Sequence, residues 1–163
     1  MGTWGFVIRD SDGDAVSAGR GKVEHLLGAF QAELISCLHG VQEAVRLGIG
    51  NLVLETDALE VRQALNSNDF NASVAGGLVA ELRFLVHVNF NCFQCGFVPG
   101  ECNRVAHEIA ASGYECDGGV EQILSSLQER INVILSLTIC QLMSNTYSQF
   151  QKKKKIKILY LPI

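Results

Sequence analysis

The hydrophobic positions of this 163-residue chain follow two different periods, and the change between them predicts a mixed α/β fold. Residues 4–10 are aromatic and β-branched, and Asp12-Gly13 after them favours a tight turn into a returning strand at residues 15–22. From residue 29 to 47 the apolar side chains recur every three or four positions, which is typical of one helix face. The chain therefore opens with a predicted antiparallel hairpin and a long helix.

The later elements alternate between strands and helices. Strands are predicted at residues 51–56 and 90–98, and helices at residues 58–65, 74–88 and 103–111. Strands separated by helices favour parallel neighbours. The predicted fold class is α/β, with a mixed sheet of one antiparallel hairpin plus parallel strands and with helices on its faces.

The chain changes character after Gly119. Residues 120–130 could form one more helix, and residues 131–143 are almost all apolar but too short to span a bilayer. Residues 145–163 combine a polar patch, a lysine run and an apolar end. We expect one domain at residues 1–119 and a C-terminal extension at residues 120–163, a helix and then an irregular lysine-rich tail outside the core. An alternative function for the lysines is a nuclear-import or anionic-surface patch.

Charge is distributed unevenly around a net value of −4. Residues 1–130 carry eight basic and 17 acidic side chains, a net charge of −9, whereas the remainder has five lysines and no acid. Such an acidic body is a poor sequence-independent binder of phosphate backbones, but it suits a site that collects divalent cations. The sequence has neither a signal-peptide pattern nor a membrane-length apolar run, so we expect a cytoplasmic or nuclear protein that is not secreted and has no membrane partner.

Six cysteines are present: Cys37, Cys92, Cys95, Cys102, Cys116 and Cys140. Without a secretion signal we expect them to be mostly reduced, small apolar side chains. Cys92 and Cys95, with Cys102 and His107, have the residue types of a zinc site. The first two fall three apart in a predicted strand and would face opposite sides, so zinc is disfavoured.

Four polar residues stand where the predicted elements would collect chemistry. Asp57 follows a strand and precedes a helix, Glu33 lies near the start of the long helix, and Asn103 and His107 are one helical turn apart. Each also has an ordinary structural reading, as an N-cap, a solvated glutamate or a surface histidine.

Four segments together resemble a known family: WGFVIRDSDG at 4–13, AFQAELISCLHGVQEA at 29–44, LVLETDA at 52–58 and FVPGECNRVAHEIA at 97–110. They are similar to the ribonuclease H fold, in particular the reverse-transcriptase-associated type 1 domain abundant in plants, where it also occurs in pieces derived from retroelements. The resemblance covers roughly residues 4–113.

The resemblance implies a metal-dependent hydrolase that cleaves the RNA strand of RNA–DNA hybrids with two Mg²⁺ or Mn²⁺ ions. By position, Glu33 and Asp57 match metal-binding catalytic carboxylates of the family. Asn103 matches the asparagine that opens the last helix, with a substrate-binding role. His107 stands where many members have a fourth carboxylate, and we assign it a catalytic role.

One departure bears on activity. The family carries an important aspartate on a first strand that is central in its sheet, but only Met1-Gly2-Thr3 precede Trp4 here. We therefore expect the sheet to lack that strand and the chain to be a ribonuclease H-like, nucleic-acid-binding domain with impaired catalysis and a weakly bound cation. The alternatives are a non-catalytic nucleic-acid-binding module and a truncated gene product without an independent function.

Overall fold

A computed structural model describes residues 1–67 and 74–116, and the backbone of two further strands at 122–123 and 154–161. The strands are β1 (Gly2–Arg9), β2 (Ala15–Val23), β3 (Asn51–Thr56), β4 (Cys92–Phe97), β5 (Gln122–Ile123) and β6 (Lys154–Leu161). The helices are α1 (Ala29–Arg46), α2 (Leu59–Asn66), α3 (Gly76–Asn89) and α4 (Arg104–Ser112), with short 3-10 turns at Gly100–Asn103 and Gly113–Glu115.

The strands form one mixed sheet in the order β4-β3-β6-β1-β2-β5. β1 and β2 are an antiparallel hairpin, while β3 and β4 are parallel and are connected through α2 and α3. The predicted fold class, a mixed sheet with an antiparallel pair, parallel strands and flanking helices, is therefore confirmed.

The hairpin turn forms where the sequence predicts it. Gly13 has a φ of 92°, a conformation that favours glycine, and the carboxylate of Asp10 accepts hydrogen bonds from the backbone N–H groups of Asp12 and Asp14. These contacts fix the register of β1 against β2.

One face of the sheet packs against α1. The apolar stripe of this helix buries Leu34, Cys37 and Val41 against Phe6 and Leu54 of the sheet. The hydroxyl of Ser36 also donates a 3.0 Å hydrogen bond to the carbonyl of Gly5, which ties the helix to β1. The main core therefore lies between α1 and the two halves of the sheet.

The other face packs against α4. Val7 of β1 forms a second buried cluster with Val105 and Ile109 of the helix. Gly5 lets the helix approach closely, because a Cβ at this position would lie 2.5 Å from the backbone nitrogen of Ala110. This packing brings the start of α4 to the edge of the sheet where β3 ends.

The position of β6 corrects the prediction of an irregular tail outside the core. β6 lies between β1 and β3, antiparallel to the first and parallel to the second. The centre of the sheet is therefore filled by β6, although the sequence predicts that the family's central first strand is missing. The C-terminal segment Lys154–Leu161 occupies a central position and joins the hairpin to the parallel pair.

The alternation Lys155-Ile156-Lys157-Ile158 explains why this segment can be a strand, since a period of two matches the pleat of a sheet. Ile156 pairs in register with the core residues Ile8 and Leu54, which are fully buried. The composition of the tail, with its run of lysines, does not reveal this alternating pattern.

Residues 122–123 form a short strand paired with Gly19 and Arg20, instead of the helix predicted for residues 120–130. The remainder of that predicted helix and the apolar run at 131–143 lie outside the described residues. Within the described part of the chain, no helix is long and apolar enough to cross a membrane.

Candidate functional site

Asp57 stands where β3 ends and the chain turns into α2. The carbonyl of Thr56, the last residue of β3, accepts a 2.9 Å hydrogen bond from the backbone N–H of Val98, just beyond β4. The hydroxyl of Thr56 accepts another from the backbone N–H of Ala58 at 3.1 Å. These bonds hold the turn, so the carboxylate of Asp57 leaves the sheet edge at a fixed point.

Asn103 fixes one oxygen of that carboxylate. It lies at the junction of the 3-10 turn and α4, and its Nδ2 donates to Asp57 Oδ1 across 3.2 Å. Asn103 is fully buried, so its amide holds Asp57 from the interior of the domain. Its assignment as a substrate-binding residue remains a prediction.

His107 approaches the other oxygen of Asp57. Its Nε2 lies 3.8 Å from Asp57 Oδ2, and the side chains are 33% and 19% exposed, respectively. The sequence predicted only that Asn103 and His107 share a helix face; the one-turn spacing also places both beside the same carboxylate. Both groups are accessible enough to meet solvent or a ligand at this edge.

Gly100 is a component of the site that the sequence did not identify. A Cβ at this position would lie 3.2 Å from Asp57 Oδ2 and 3.8 Å from His107 Nε2. Glycine therefore leaves open the space beside the two functional groups. In a sequence, Pro-Gly is typical of the end of a strand, and the sequence pattern does not distinguish that role from a place beside a functional site.

Glu33 lies in the second turn of α1 and is 9% exposed, so it is not a solvated first-turn glutamate. Burial raises the pKa of the Cys37 thiol one turn further along α1, and the charges of Glu33 and Asp57 raise it further. Both carboxylates therefore raise the pKa of the same buried thiol.

The four predicted residues fall into two groups. Asp57, Asn103 and His107 make one contact cluster, whereas Glu33 is related to it through the surroundings of Cys37. In residues 1–67 and 74–116, no three His, Cys, Asp or Glu side chains are grouped so that they could hold a metal ion. The described side chains consequently do not fit a two-metal centre, which needs several carboxylates to balance two divalent cations.

The contact cluster can perform chemistry of a more limited kind. A carboxylate with one oxygen fixed by an amide keeps its second oxygen oriented toward the imidazole. Such an Asp–His pair can offer oxygen and nitrogen donors to a single ligand. Asn103 acts here as a positioning residue, because its amide fixes one oxygen of the Asp57 carboxylate.

Among the described residues, the side chains of the alternative zinc site, Cys92, Cys95, Cys102 and His107, are not grouped so that they could hold a metal ion. Among the described cysteines, Cys37, Cys92, Cys95 and Cys116 are free, and Cys102 is disulfide-bonded. Burial raises the pKa of the Cys95 thiol to about 12, against the opposing effect of Arg62. A thiol held protonated in this way is a poor metal ligand at neutral pH.

Comparisons with known proteins place the domain in a family. No curated protein matches the sequence. The fold is similar to the crystal structure of RNase H1 from the halophilic archaeon Halobacterium salinarum NRC-1, with a TM-score of 0.58 and 21% identity over 69% of this chain and 85% of that chain. A family model described as reverse transcriptase-like matches residues 1–113, which is more than half of the chain. Together with the RNase H-like sheet, this match shows that the chain belongs to the reverse transcriptase-like family.

Proposed function

We propose that this protein is an RNase H-like domain that binds RNA–DNA hybrid and does not measurably cleave it. The observation that carries the proposal is the identity of the central strand. β6 (KKIKILYL) contains no carboxylate, although it lies beside the strand that ends at Asp57. The family that the sequence resembles places a catalytic aspartate on its central first strand.

The register of β6 identifies which of its residues lies beside Asp57. Thr56 of β3 pairs with Ile158 of β6, so the residues that follow them along the two parallel strands are Asp57 and Leu159. An aspartate on the central strand would therefore be expected near position 159. Leu159 at this position supplies no carboxylate beside Asp57, whereas a bridged pair of cations requires several.

Binding and cleavage depend on different features of the chain. The phosphate backbone is attracted by basic side chains, and the lysine run is the most basic segment of this protein. Because the body is acidic, we expect weak binding that falls steeply with salt. Chemistry, in contrast, needs charge and geometry at the Asp57 edge, where the carboxylate set is incomplete.

The test is a cleavage assay and a binding assay on the same preparation. Purified 1–163 is incubated with end-labelled RNA–DNA hybrid in Mg²⁺ and separately in Mn²⁺, alongside an active ribonuclease H. Anisotropy titrations with labelled hybrid, duplex DNA and duplex RNA measure binding at several salt concentrations. We expect saturable hybrid binding and no cleavage products above the no-enzyme background.

Two variants identify the source of any cleavage. If 1–163 cleaves the hybrid and Asp57→Asn or Glu33→Gln stops it, the site assignment stands and the proposed impairment is wrong. If those variants cleave as well as the parent protein, the site assignment is wrong. An absence of both binding and cleavage would favour a chain without an independent nucleic-acid function.

A further inference from the structure

The centre of the sheet is built from a segment that comes from the far end of the chain. β5 ends at Ile123 and β6 begins at Lys154, so the strand between β1 and β3 is the last described element. The other described elements all come from residues 2–123. β1 and β3 are therefore joined within the sheet only through β6.

Both edges of this gap are fully engaged by β6. Seven residue pairs join β6 to β1, from Thr3–Leu161 to Arg9–Lys155, and five join it to β3. Removing β6 would expose the backbone N–H and C=O groups of two strand edges at once. Unpaired edges of this kind are templates for the addition of another strand.

The core residues of β1 and β3 determine which strand can pair in the gap between them. Phe6, Ile8 and Leu54 are fully buried core residues. Phe6 pairs in register with Ile158, and both Ile8 and Leu54 pair with Ile156. A one-residue slip in either direction would place a lysine opposite Ile8 and Leu54. The matching segment is therefore extended, with apolar residues at alternate positions.

Charge complementarity adds a second criterion. Residues 145–163 carry five lysines and no acid, whereas residues 1–144 have a net charge of −9. Opposite net charges accelerate the encounter of two separate segments, and salt weakens that effect.

We propose that the gap between β1 and β3 is a strand-binding slot, and that its occupant is a basic, alternating strand of the β6 type, accepted without covalent connection to the body. The occupant is the protein's own segment 154–161, which the slot takes up even when that segment is not tethered to the body. A tethered β6 has the advantage of a high effective concentration, which a separate strand must overcome. This inference shares with the proposed function the central position of β6, but it concerns strand pairing and not the binding or cleavage of nucleic acid.

The experiment begins with the full chain. A site-specific protease sequence is inserted after Ser144, and the folded protein is cut there. The body and the fragment 145–163 should then co-elute in size-exclusion chromatography. A fluorescein-labelled 145–163 peptide should exchange into the cut protein with a saturable rise in anisotropy, and unlabelled peptide should reverse it.

A matched peptide tests the register. The variant with Ile156→Thr and Ile158→Thr keeps the net charge and the β-branched shape but loses the apolar positions, so it should compete at least about tenfold more weakly. A photo-crosslinker in place of Tyr160 should label the β1 segment around Trp4, its register partner. Raising the salt should slow association of the labelled peptide.

Each outcome decides the matter. Co-elution with exchange, or unfolding of the body after cutting followed by refolding on addition of peptide, supports the slot. Separation of the fragment from a body that keeps its melting temperature overturns it. So does an unfolded body that the peptide fails to rescue, or equal competition by the threonine variant.

Discussion

The side-chain amide of Asn103 holds the carboxylate of Asp57 at 3.2 Å, although the two residues are 46 positions apart in the chain. The bond joins the end of β3 to the start of α4, and therefore the two halves of the sequence that build the site. His107, one turn further along α4, approaches the other carboxylate oxygen. The site is thus a property of how α4 docks on the sheet.

Asn103→Ala should destabilise the domain by about 1–3 kcal/mol, because it removes a buried amide and leaves Asp57 without this donor. Chemical denaturation measures the loss. Asn89→Ala is the matched control, since Asn89 is exposed and bonds only within its own helix, to the carbonyl of Leu85. It should change stability by less than about 0.5 kcal/mol. Equal effects of the two variants would contradict the role of Asn103.

Removing residues 152–163 should cost more than about 5 kcal/mol, because twelve paired positions on two strand edges lose their partner. Thermal unfolding followed by circular dichroism should then show loss of the cooperative transition. Removing only residues 162–163, which follow β6, is the control and should leave the melting temperature nearly unchanged. An unchanged melting temperature for the longer deletion would restore the original prediction of a tail without a core role.

Lowering the pH should weaken the attachment of α1 to β2 through Glu43. Its side chain is 2% exposed, and hydrogen bonds from Arg46, at 2.6 and 2.8 Å, and from Ser17, at 2.8 Å, lower its pKa below the ordinary value of 4.5. A lowered folded-state pKa stabilises the protein above the unfolded value, and this stability is lost as the pH falls through the folded value. Urea midpoints measured from pH 7 downward should therefore fall below about pH 4.5.

Glu43→Gln is the control for that pH dependence. It should lower stability at neutral pH and flatten the decline below the ordinary glutamate pKa. A variant with the same pH profile as the parent protein would mean that other carboxylates cause the acid sensitivity.

Gly21→Ala should destabilise the hairpin, because the new Cβ would lie 2.4 Å from Cζ2 of the Trp4 indole, which packs over this position. The expected cost is about 1–3 kcal/mol, with a change in tryptophan fluorescence. Gly77→Ala, in the first turn of α3 with no atom within 4 Å of the new Cβ, should be neutral or slightly stabilising. The prediction fails if Gly21→Ala is as stable as Gly77→Ala.

Leu159→Asp should introduce cleavage of RNA–DNA hybrid in Mg²⁺ or Mn²⁺, since it puts a carboxylate on the central strand beside the end of β3. The measurement is the appearance of labelled products above the level of the parent protein. Leu159→Asn is the uncharged control and should remain inactive. Adding Asp57→Asn to Leu159→Asp should remove the activity, and activity that survives this second substitution would place the chemistry elsewhere.

The local pattern of the chain determined most of the elements and their types. The hairpin around Asp12-Gly13, the apolar stripe of α1 and the strand that ends at Asp57 follow from turn chemistry and periodicity alone. These signals are local, and the contacts that they imply are formed mainly within each element or between neighbours in the chain. They also located Asp57 and Asn103 at the ends of elements, where side chains from different strands and helices converge.

Tertiary structure decided what those local signals could not specify. A period-two pattern predicts a strand but does not specify its pairing partners. Only the sheet topology shows that β6 lies between β1 and β3. The same holds for Gly100, whose place beside Asp57 and His107 depends on how the loop before α4 crosses the end of β3. Strands that are more than a hundred residues apart pair where the rest of the fold leaves a strand edge unpaired. Such edges exist only in the assembled domain, so the local sequence pattern cannot specify them.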